Sequence, residues 1–289
     1  MRVHYQDFMI FFTFLLFWTS IQFGQIIEDS IAYVIVLSIG IIHGSNDFTI
    51  LRKQKSNTTS FLKSTGFYLF LIIMCILSYI THPYISFLFF ILLSSYHFGE
   101  QHLEEKVFGS KIFKSILYIA YGMLIFSLIF IENLSDVDNI MKNLTGNSIP
   151  NDWINIMFFS SLSLLIVLFI YHFTRKIKPK IQIVRELFYL LLLFLVFKTS
   201  SLILGFAIYF VLWHSIPSIL DQTKFLSGDY SFQTILEYFK TAFIYWLISI
   251  LGLVVAYYFL DESQFSSIIF IVLFAVTAPH VWVMSRMKQ

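Results

Sequence analysis

The chain has 289 residues, 58% of them hydrophobic and 12% charged, with a net charge of +2. Soluble domains carry about a quarter charged residues, so this composition excludes a soluble protein and predicts lipid around most of the chain. No polar block is long enough to fold alone, so residues 1–289 are predicted to form a single transmembrane helical domain. No basic, aromatic-interleaved patch indicates nucleic-acid binding. The single cysteine, Cys75, excludes an intrachain disulfide and a thiolate metal site.

Apolar runs of membrane-crossing length recur along the chain, which predicts an all-α polytopic bundle. The first run resembles a signal peptide, but no small-residue cleavage site follows it, so we expect it to be retained. The predicted spans are 8–23, 31–51, 66–80, 84–99, 112–131, 153–173, 187–197, 200–219, 241–260 and 265–284. That makes about ten transmembrane helices. The seventh run is short, so eight or nine crossings stay open as an alternative.

Basic residues alternate with acidic residues in the short loops. The loop from Arg175 to Arg185 follows the sixth span, whereas the opposite loops carry acidic residues such as Glu28 and Asp136. Because cytoplasmic loops are enriched in Lys and Arg, both termini are predicted to face the cytoplasm, in a multi-pass protein of the cell (inner, cytoplasmic) membrane. Glu186, beside Arg185, is interpreted as a loop charge.

Four histidines lie at similar predicted depths, on spans two, four, eight and ten. They are His43, His97, His214 and His280. At 1.5 Å per residue they lie about 5–14 Å below the cytoplasmic boundary, so they are predicted to converge on one point. His172 also lies near this face, so depth alone does not define a site. The case for a site therefore depends on the residues that neighbour each histidine.

Polar neighbours accompany two of these histidines. His43 begins the segment HGSND, which ends at Asp47, four residues later and on the same helical face. Asp47 is expected to orient the His43 ring by accepting its second N–H, and Gly44 is expected to allow close helix approach. A polar helix–helix contact is the alternative. His97 and His102 lie together at the end of the fourth span, where a frayed helix end is the alternative.

Prolines accompany the other two histidines. Pro217 follows His214 by three residues, and Pro279 directly precedes His280. A proline removes a backbone donor, so each is predicted to interrupt its helix beside a histidine.

This combination of ligand types favours some metal chemistries over others. Imidazoles without thiols suit Fe, Cu or Zn, but the buried carboxylates that zinc hydrolysis usually needs are scarce. Iron with imidazole ligands and open positions suits O₂ chemistry, and a site within a membrane suits a lipid-soluble substrate. The residues therefore indicate an oxygen-using enzyme that acts on a lipid.

The motifs HGxxD, HFG, WHS and PH, in this order and with these gaps, resemble the Brp/Blh family of microbial membrane β-carotene 15,15'-dioxygenases. The resemblance extends from the second span to the C-terminus. It implies a non-haem iron oxygenase that uses Fe(2+) and O₂ to cleave β-carotene at its central 15,15' double bond. Two all-trans retinal molecules result, and a microbial rhodopsin would take retinal as its chromophore. His43, His97, His214 and His280 would be the metal ligands, and Asp47 would orient a ligand.

Two positions depart from the family pattern. The family often has a second histidine one turn after His214, where this chain has Ser218, and an aspartate four residues after Phe98, where this chain has His102. Three ligand sets stay open: His280 completes a four-histidine site, His102 is a further ligand, or the protein supplies three ligands. A member that has lost activity is also compatible with these departures.

A long polyene also needs a tunnel, which aromatic side chains beside the histidines are predicted to line. The predicted substrate-binding residues are Tyr96, Phe98, Tyr209, Trp213 and Trp282.

Two functions of other classes stay open. One is a dihistidyl haem or metal electron carrier, and the other is a polytopic transporter in which Asp47 carries protons beside broken helices. A diiron desaturase is disfavoured because its HxxxH and HxxHH boxes do not occur in the sequence.

Overall fold

The structure, a computed structural model, describes residues 2–55, 57–174, 181–259 and 262–287. Within these ranges every regular element is helical, and no β-strand occurs, as the composition predicts. The α-helices are α1 (Arg2–Gln22), α2 (Gln25–Ile35), α3 (Asp47–Gln54), α4 (Thr58–Thr81), α5 (Pro83–Leu103), α6 (Lys111–Ile131), α7 (Leu134–Thr145), α8 (Asn151–Phe173), α9 (Ile183–Thr199), α10 (Leu202–Ile208), α11 (Ile216–Ser227), α12 (Phe232–Phe259) and α13 (Glu262–Met287). Two π-helices, π1 (Val36–Gly40) and π2 (Tyr209–Ser215), interrupt this α-helical structure.

Every predicted span overlaps a helix. In the described part of the chain, five helical stretches have the length and apolar composition to cross a membrane: Thr58–Thr81, Lys111–Ile131, Asp152–Phe173, Leu202–Ser227 and Phe232–Phe259. The number of ten crossings and the orientation of the termini stay predictions. The second predicted span is broken, because a turn at residues 43–46 separates π1 from α3.

The long apolar helices differ in burial. Most of α6 is buried, whereas α4, α8 and above all α12 expose most of their residues. Large apolar side chains such as Ile248, Leu251 and Val255 on α12 are more than half exposed. Soluble proteins rarely expose so large an apolar surface to water, whereas the lipid of a membrane would cover it. These exposed helices are therefore those of a membrane protein.

The chain divides into two compact units. Unit 1 comprises Met1–Val36, Ser94–Lys142 and Asn147–His214, and unit 2 comprises Leu37–Leu93, Asn143–Gly146 and Ser215–Gln289. That the whole chain folds as a single domain stays a prediction.

In unit 1, α5 and α6 pack backbone to backbone through two glycines. A Cβ atom added at Gly99 would lie 2.0 Å from the carbonyl oxygen of Tyr118, and one added at Gly122 would lie 2.1 Å from that of Ser95. No side chain fits at either position, so both glycines are required by the packing. This contact fixes the end of α5, where His97 lies.

In unit 2, an apolar cluster joins α3, α4 and α13. Its buried members are Ile50, Leu51, Tyr68, Val283 and Met284. Lipid is as apolar as these side chains, so close packing rather than exclusion of water holds the three helices together. Asp47 lies one turn before Ile50 and Leu51, and His280 lies one turn before Met284. The packing of the cluster therefore fixes the backbone positions of both Asp47 and His280.

Candidate metal centre

The four predicted histidines are all buried, and they form two pairs. His43 and His280 lie in unit 2, where 7% and 3% of their surfaces are exposed. His97 and His214 lie in unit 1, with 2% and 1% exposed. Buried imidazoles need hydrogen-bonding or metal partners, so the surroundings of each pair show what chemistry it can support.

His43 lies in the turn that follows π1. Its Nδ1 atom contacts the carbonyl oxygen of Gly40 at short range and lies 3.3 Å from Ser215 Oγ. Because a carbonyl oxygen only accepts hydrogen bonds, Nδ1 carries the ring proton, and Nε2 presents its lone pair. Histidine ligands of protein metal sites are commonly held this way, with one ring nitrogen donating to a carbonyl group.

His280 is held in the same tautomer by a carboxylate. Its Nδ1 atom lies 2.9 Å from Asp47 Oδ1, and Tyr68 donates its hydroxyl hydrogen to Asp47 Oδ2 at 3.0 Å. The rings of His280 and His43 meet edge to face, with centroids 4.9 Å apart. Both residues of this pair therefore have Nδ1 engaged by an acceptor.

The structure corrects the predicted partner of Asp47. A continuous helix would place Asp47 beside His43, but the turn at residues 43–46 breaks the helix. Asp47 instead begins α3 and faces His280. Gly44 is not a site of close helix approach either, because an added Cβ would meet its nearest atom, His280 Nδ1, at an ordinary 3.9 Å.

A buried hydrogen-bond network, which sequence reasoning missed, holds the backbone of His43. Gln222 donates to the His43 carbonyl at 2.8 Å and to Ser218 Oγ at 3.0 Å. Tyr238 donates to Gln222 Oε1 at 2.9 Å, and Asn46 donates to the Tyr238 carbonyl at 3.0 Å. Ser218, at the position where the resemblance implies a histidine, is thus an acceptor for Gln222.

One sequence signal points to part of this network. Gln222 follows Ser218 by four residues and His214 by eight, which places all three near one face of a regular helix. No comparable signal points to Tyr68 or Tyr238, because each lies in an apolar helix distant in sequence from His43.

The pair in unit 1 lies among aromatic rings. The ring centroids of His97 and His214 are 4.6 Å apart, at an interplanar angle of 74°. Phe98 contacts the His214 ring at 4.7 Å, and Phe210 stacks on it at 5.9 Å. His214 lies in π2, whose wider turn carries an extra residue, as π-helical segments at functional sites often do.

Two of the five predicted substrate-binding residues belong to this aromatic group. Phe98 contacts His214 directly, and Tyr209 lies against Phe98 with ring centroids 5.3 Å apart. Both are buried. They supply an apolar surface beside His214.

The other three aromatic residues have different neighbours. Trp213 donates to Thr13 Oγ1 at 3.0 Å, and Tyr96 donates to Glu100 Oε1 at 3.2 Å. Trp282 packs against Phe67, with ring centroids 5.0 Å apart, and is only partly buried. A role for these three in substrate binding stays a prediction.

His102, the further candidate ligand, lies in a partly buried ion-pair cluster. Its Nε2 atom lies 2.6 Å from Glu186 Oε2 and 3.0 Å from Lys106 Nζ, and Lys106 also lies 2.6 Å from Glu186 Oε1. Both contacts engage the same ring nitrogen of His102. Glu186, interpreted above as a loop charge, lies in the first turn of α9 and is largely buried.

Burial and charge shift the protonation equilibria of this cluster. Burial lowers the pKa of the Lys106 ammonium group, although Glu186 works against that shift. Burial alone would raise the pKa of Glu186, but the charges and hydrogen bonds of His102 and Lys106 outweigh it and lower that pKa to about 2. Glu186 is therefore ionised at neutral pH and joins the end of α5 to the start of α9.

The donor set fits a borderline metal such as Fe(2+). Imidazole nitrogens without thiolates suit this class of ion, and both histidines of unit 2 have Nδ1 engaged and Nε2 directed away from those acceptors. Within the described ranges, no three His, Cys, Asp or Glu side chains form a metal-binding group. Each unit by itself thus provides two histidines, and the four-histidine ligand set stays a prediction of the sequence.

Comparison with known proteins gives a match to a family model. The family model described as Beta-carotene 15,15'-dioxygenase matches residues 34–288. No curated protein and no solved structure matches the chain. The matched region contains the residues singled out by the sequence motifs: His43, Asp47, His97, His214 and His280.

Proposed function

We propose, because the chain belongs to the beta-carotene 15,15'-dioxygenase family, that it cleaves β-carotene with O₂ at the central 15,15' double bond. Each β-carotene then yields two molecules of all-trans retinal. The family match carries this proposal, since it covers residues 34–288 and includes every histidine motif.

The proposal includes a non-haem Fe(2+) ion held by histidines. His43 and His280 would bind through Nε2, since Nδ1 of each ring is engaged by Gly40 and Asp47, respectively. His97 and His214 are the ligand candidates of unit 1. When bound, Fe(2+) supplies the activation of O₂ that a carbon–carbon double-bond cleavage requires.

The protein's own side chains would hold the substrate and exclude water. Phe98, Tyr209 and Phe210 form a buried apolar surface next to His214, which suits contact with a polyene. β-Carotene and retinal both partition into the bilayer, so the exposed apolar helices suit substrate and product alike. Delivery of retinal to a microbial rhodopsin completes the proposal.

The two alternatives from the sequence receive no support from the comparisons. Neither a haem electron carrier nor a transporter is named by the family model that matches the chain. The broken helices that suit a transporter also suit an enzyme, because in both cases they bring polar groups to a buried site.

The test is expression in a bacterium that produces β-carotene, followed by chromatography of retinal and residual β-carotene. The parent chain is expected to consume β-carotene and form retinal. His43→Ala, His97→Ala, His214→Ala and His280→Ala are expected to form none, whereas His82→Ala, in an exposed position after α4, is expected to match the parent. Unchanged β-carotene in cells whose membranes contain the parent chain would contradict the proposal.

A further inference from the structure

Tyr68 occupies an unusual position for an aromatic residue of a membrane helix. It lies on α4 and is 4% exposed, and it donates a hydrogen bond to Asp47 Oδ2 at 3.0 Å. Asp47, 1% exposed, uses its other oxygen, Oδ1, for His280 Nδ1 at 2.9 Å. Three elements of unit 2, α3, α4 and α13, thus meet in one chain of hydrogen bonds.

Each carboxylate oxygen of Asp47 has a different hydrogen-bond partner. Tyr68 engages Oδ2, so the carboxylate cannot rotate that oxygen toward His280 without losing a buried hydrogen bond. The His280 ring then has one fixed acceptor, Oδ1, and one fixed tautomer. Its Nε2 lone pair points to the opposite side of the ring.

The buried negative charge of the Asp47 carboxylate also indicates a cation nearby. Within the described part of the chain, Asp47 pairs with His280 and with no Lys or Arg, and His280 is uncharged in the Nδ1–H tautomer described above. A buried carboxylate without positive charge nearby is costly. A metal ion bound at His280 Nε2 would supply that charge through the ring, as in the carboxylate–histidine–metal arrangements of known metal sites.

We infer that Tyr68 is a positioning residue for the metal centre, acting through Asp47 on His280. The inference deepens the proposed function, on which it rests for the identity of His280 as a ligand. In this role Tyr68 would act through its hydrogen bond to Asp47 and not through direct contact with metal or substrate. It sets the orientation of the carboxylate, and the carboxylate sets the direction of the His280 lone pair.

The chain offers a matched control on the same helix. Tyr79 also lies on α4, is also buried, and also has a hydrogen-bonded hydroxyl, which donates to the Leu144 carbonyl at 2.8 Å. Tyr79→Phe and Tyr68→Phe therefore make the same chemical change at similar burial. Only Tyr68→Phe removes a hydrogen bond to Asp47.

The experiment titrates the purified full-length chain with Co(2+), whose visible absorption reports the ligand geometry. We expect Tyr68→Phe to weaken Co(2+) binding about tenfold or more and to shift the absorption bands. Asp47→Asn, which removes the charge and keeps the shape, is expected to weaken binding at least as much. Tyr79→Phe is expected to match the parent in both affinity and spectrum.

Three possible results distinguish a failure of this inference from a failure of the proposed function. Co(2+) affinity and spectra of Tyr68→Phe that match the parent would overturn it, even if the parent forms retinal. A parent chain that binds no Co(2+) would overturn it too. A tenfold loss in Tyr68→Phe, with an unchanged melting temperature, would support it even if the parent left β-carotene intact, in which case the proposed function alone would fail.

Discussion

Asp47 and its neighbours illustrate how one backbone turn changes the chemistry of a site. The residue pattern HGSND places a carboxylate four residues after a histidine, and in a continuous helix the two would pair. The turn at residues 43–46 instead directs Asp47 to His280 and leaves the Gly40 carbonyl and Ser215 to hold His43. His280, and not His43, is therefore the ring whose orientation depends on the Asp47 carboxylate.

Ser218 is expected to be dispensable for catalysis. It accepts one of the three hydrogen bonds that hold the Gln222 side chain, and Ser218→Ala leaves those to the His43 carbonyl and to Tyr238 in place. We predict a loss of about 1 kcal/mol in stability and retinal formation close to that of the parent.

The measurement for Ser218→Ala is retinal per unit of membrane-inserted protein, with His214→Ala as the inactive reference. Loss of retinal at normal protein levels would show that Ser218 takes part in the site itself. The departure from the family pattern would then be a substitution of one functional group for another.

The helices around the histidines are irregular in a way that hydropathy does not reveal. π1 ends three residues before His43, and π2 contains His214. An extra residue in a helical turn rotates every following side chain, which is why π-helical segments often mark functional sites. The apolar composition predicted that these stretches are helical, but it contains no information about an inserted residue.

Gly99 and Gly122 are expected to be essential for folding. An added Cβ would overlap the backbone of the facing helix, at 2.0 Å from Tyr118 O and 2.1 Å from Ser95 O, respectively. Gly99→Ala should therefore cost about 3 kcal/mol or more, because α5 and α6 must separate. The measurement is the yield and melting temperature of detergent-extracted protein.

Gly66→Ala provides the control for this prediction. An added Cβ there meets no atom within 4 Å, and alanine favours a helix by about 0.5–1 kcal/mol over glycine. We expect parent-like yield and equal or greater stability. Equal yields for Gly66→Ala and Gly99→Ala would contradict the close packing of α5 and α6.

Glu186 is expected to stabilise unit 1 through its contacts with His102 and Lys106. Glu186→Gln leaves the partly buried Lys106 ammonium group without its carboxylate partner, which should cost about 2 kcal/mol, between the values for exposed and buried pairs. The folded-state pKa of Glu186, about 2, lies below its ordinary value. Its contribution is therefore fully present above about pH 4.3 and is lost as the pH falls toward 2.

Melting temperatures of the parent and Glu186→Gln measured from pH 7 downward test this expectation. The difference should persist to about pH 4.3 and shrink below it. Asp138→Asn, which alters a more exposed pair with Lys142, should leave the melting temperature unchanged. A Glu186→Gln variant as stable as the parent at pH 7 would show that the ion pair contributes nothing.

For the molecule as a whole, composition predicted the class of the protein correctly. The high apolar content predicts a helical membrane protein, and the structure has helices whose apolar side chains are largely exposed. The same composition predicts the approximate position of the helices, since each predicted span overlaps one. It misses α7, a short helix with Asp136, Asp138 and Lys142, because that segment is too polar to be recognised as a span.

The long-range partners of the histidines could not be predicted from one sequence. Tyr68 lies 21 residues from Asp47 in the chain, and Tyr238 lies 195 residues from His43. Only the packing of α4 and α12 brings these phenols to the site. The pairing of His43 with His280, and of His97 with His214, agrees with their similar predicted depths. The union of the two pairs in one centre stays a prediction.

The most direct test of the account incubates the purified chain with β-carotene in detergent, after chelation of bound metal and with or without added Fe(2+). Chromatography measures retinal formed and β-carotene consumed. We predict no product after chelation, and with Fe(2+) two molecules of retinal for each β-carotene lost. Shorter or unequal fragments would contradict central cleavage. Equal activity with and without Fe(2+) would contradict the iron centre.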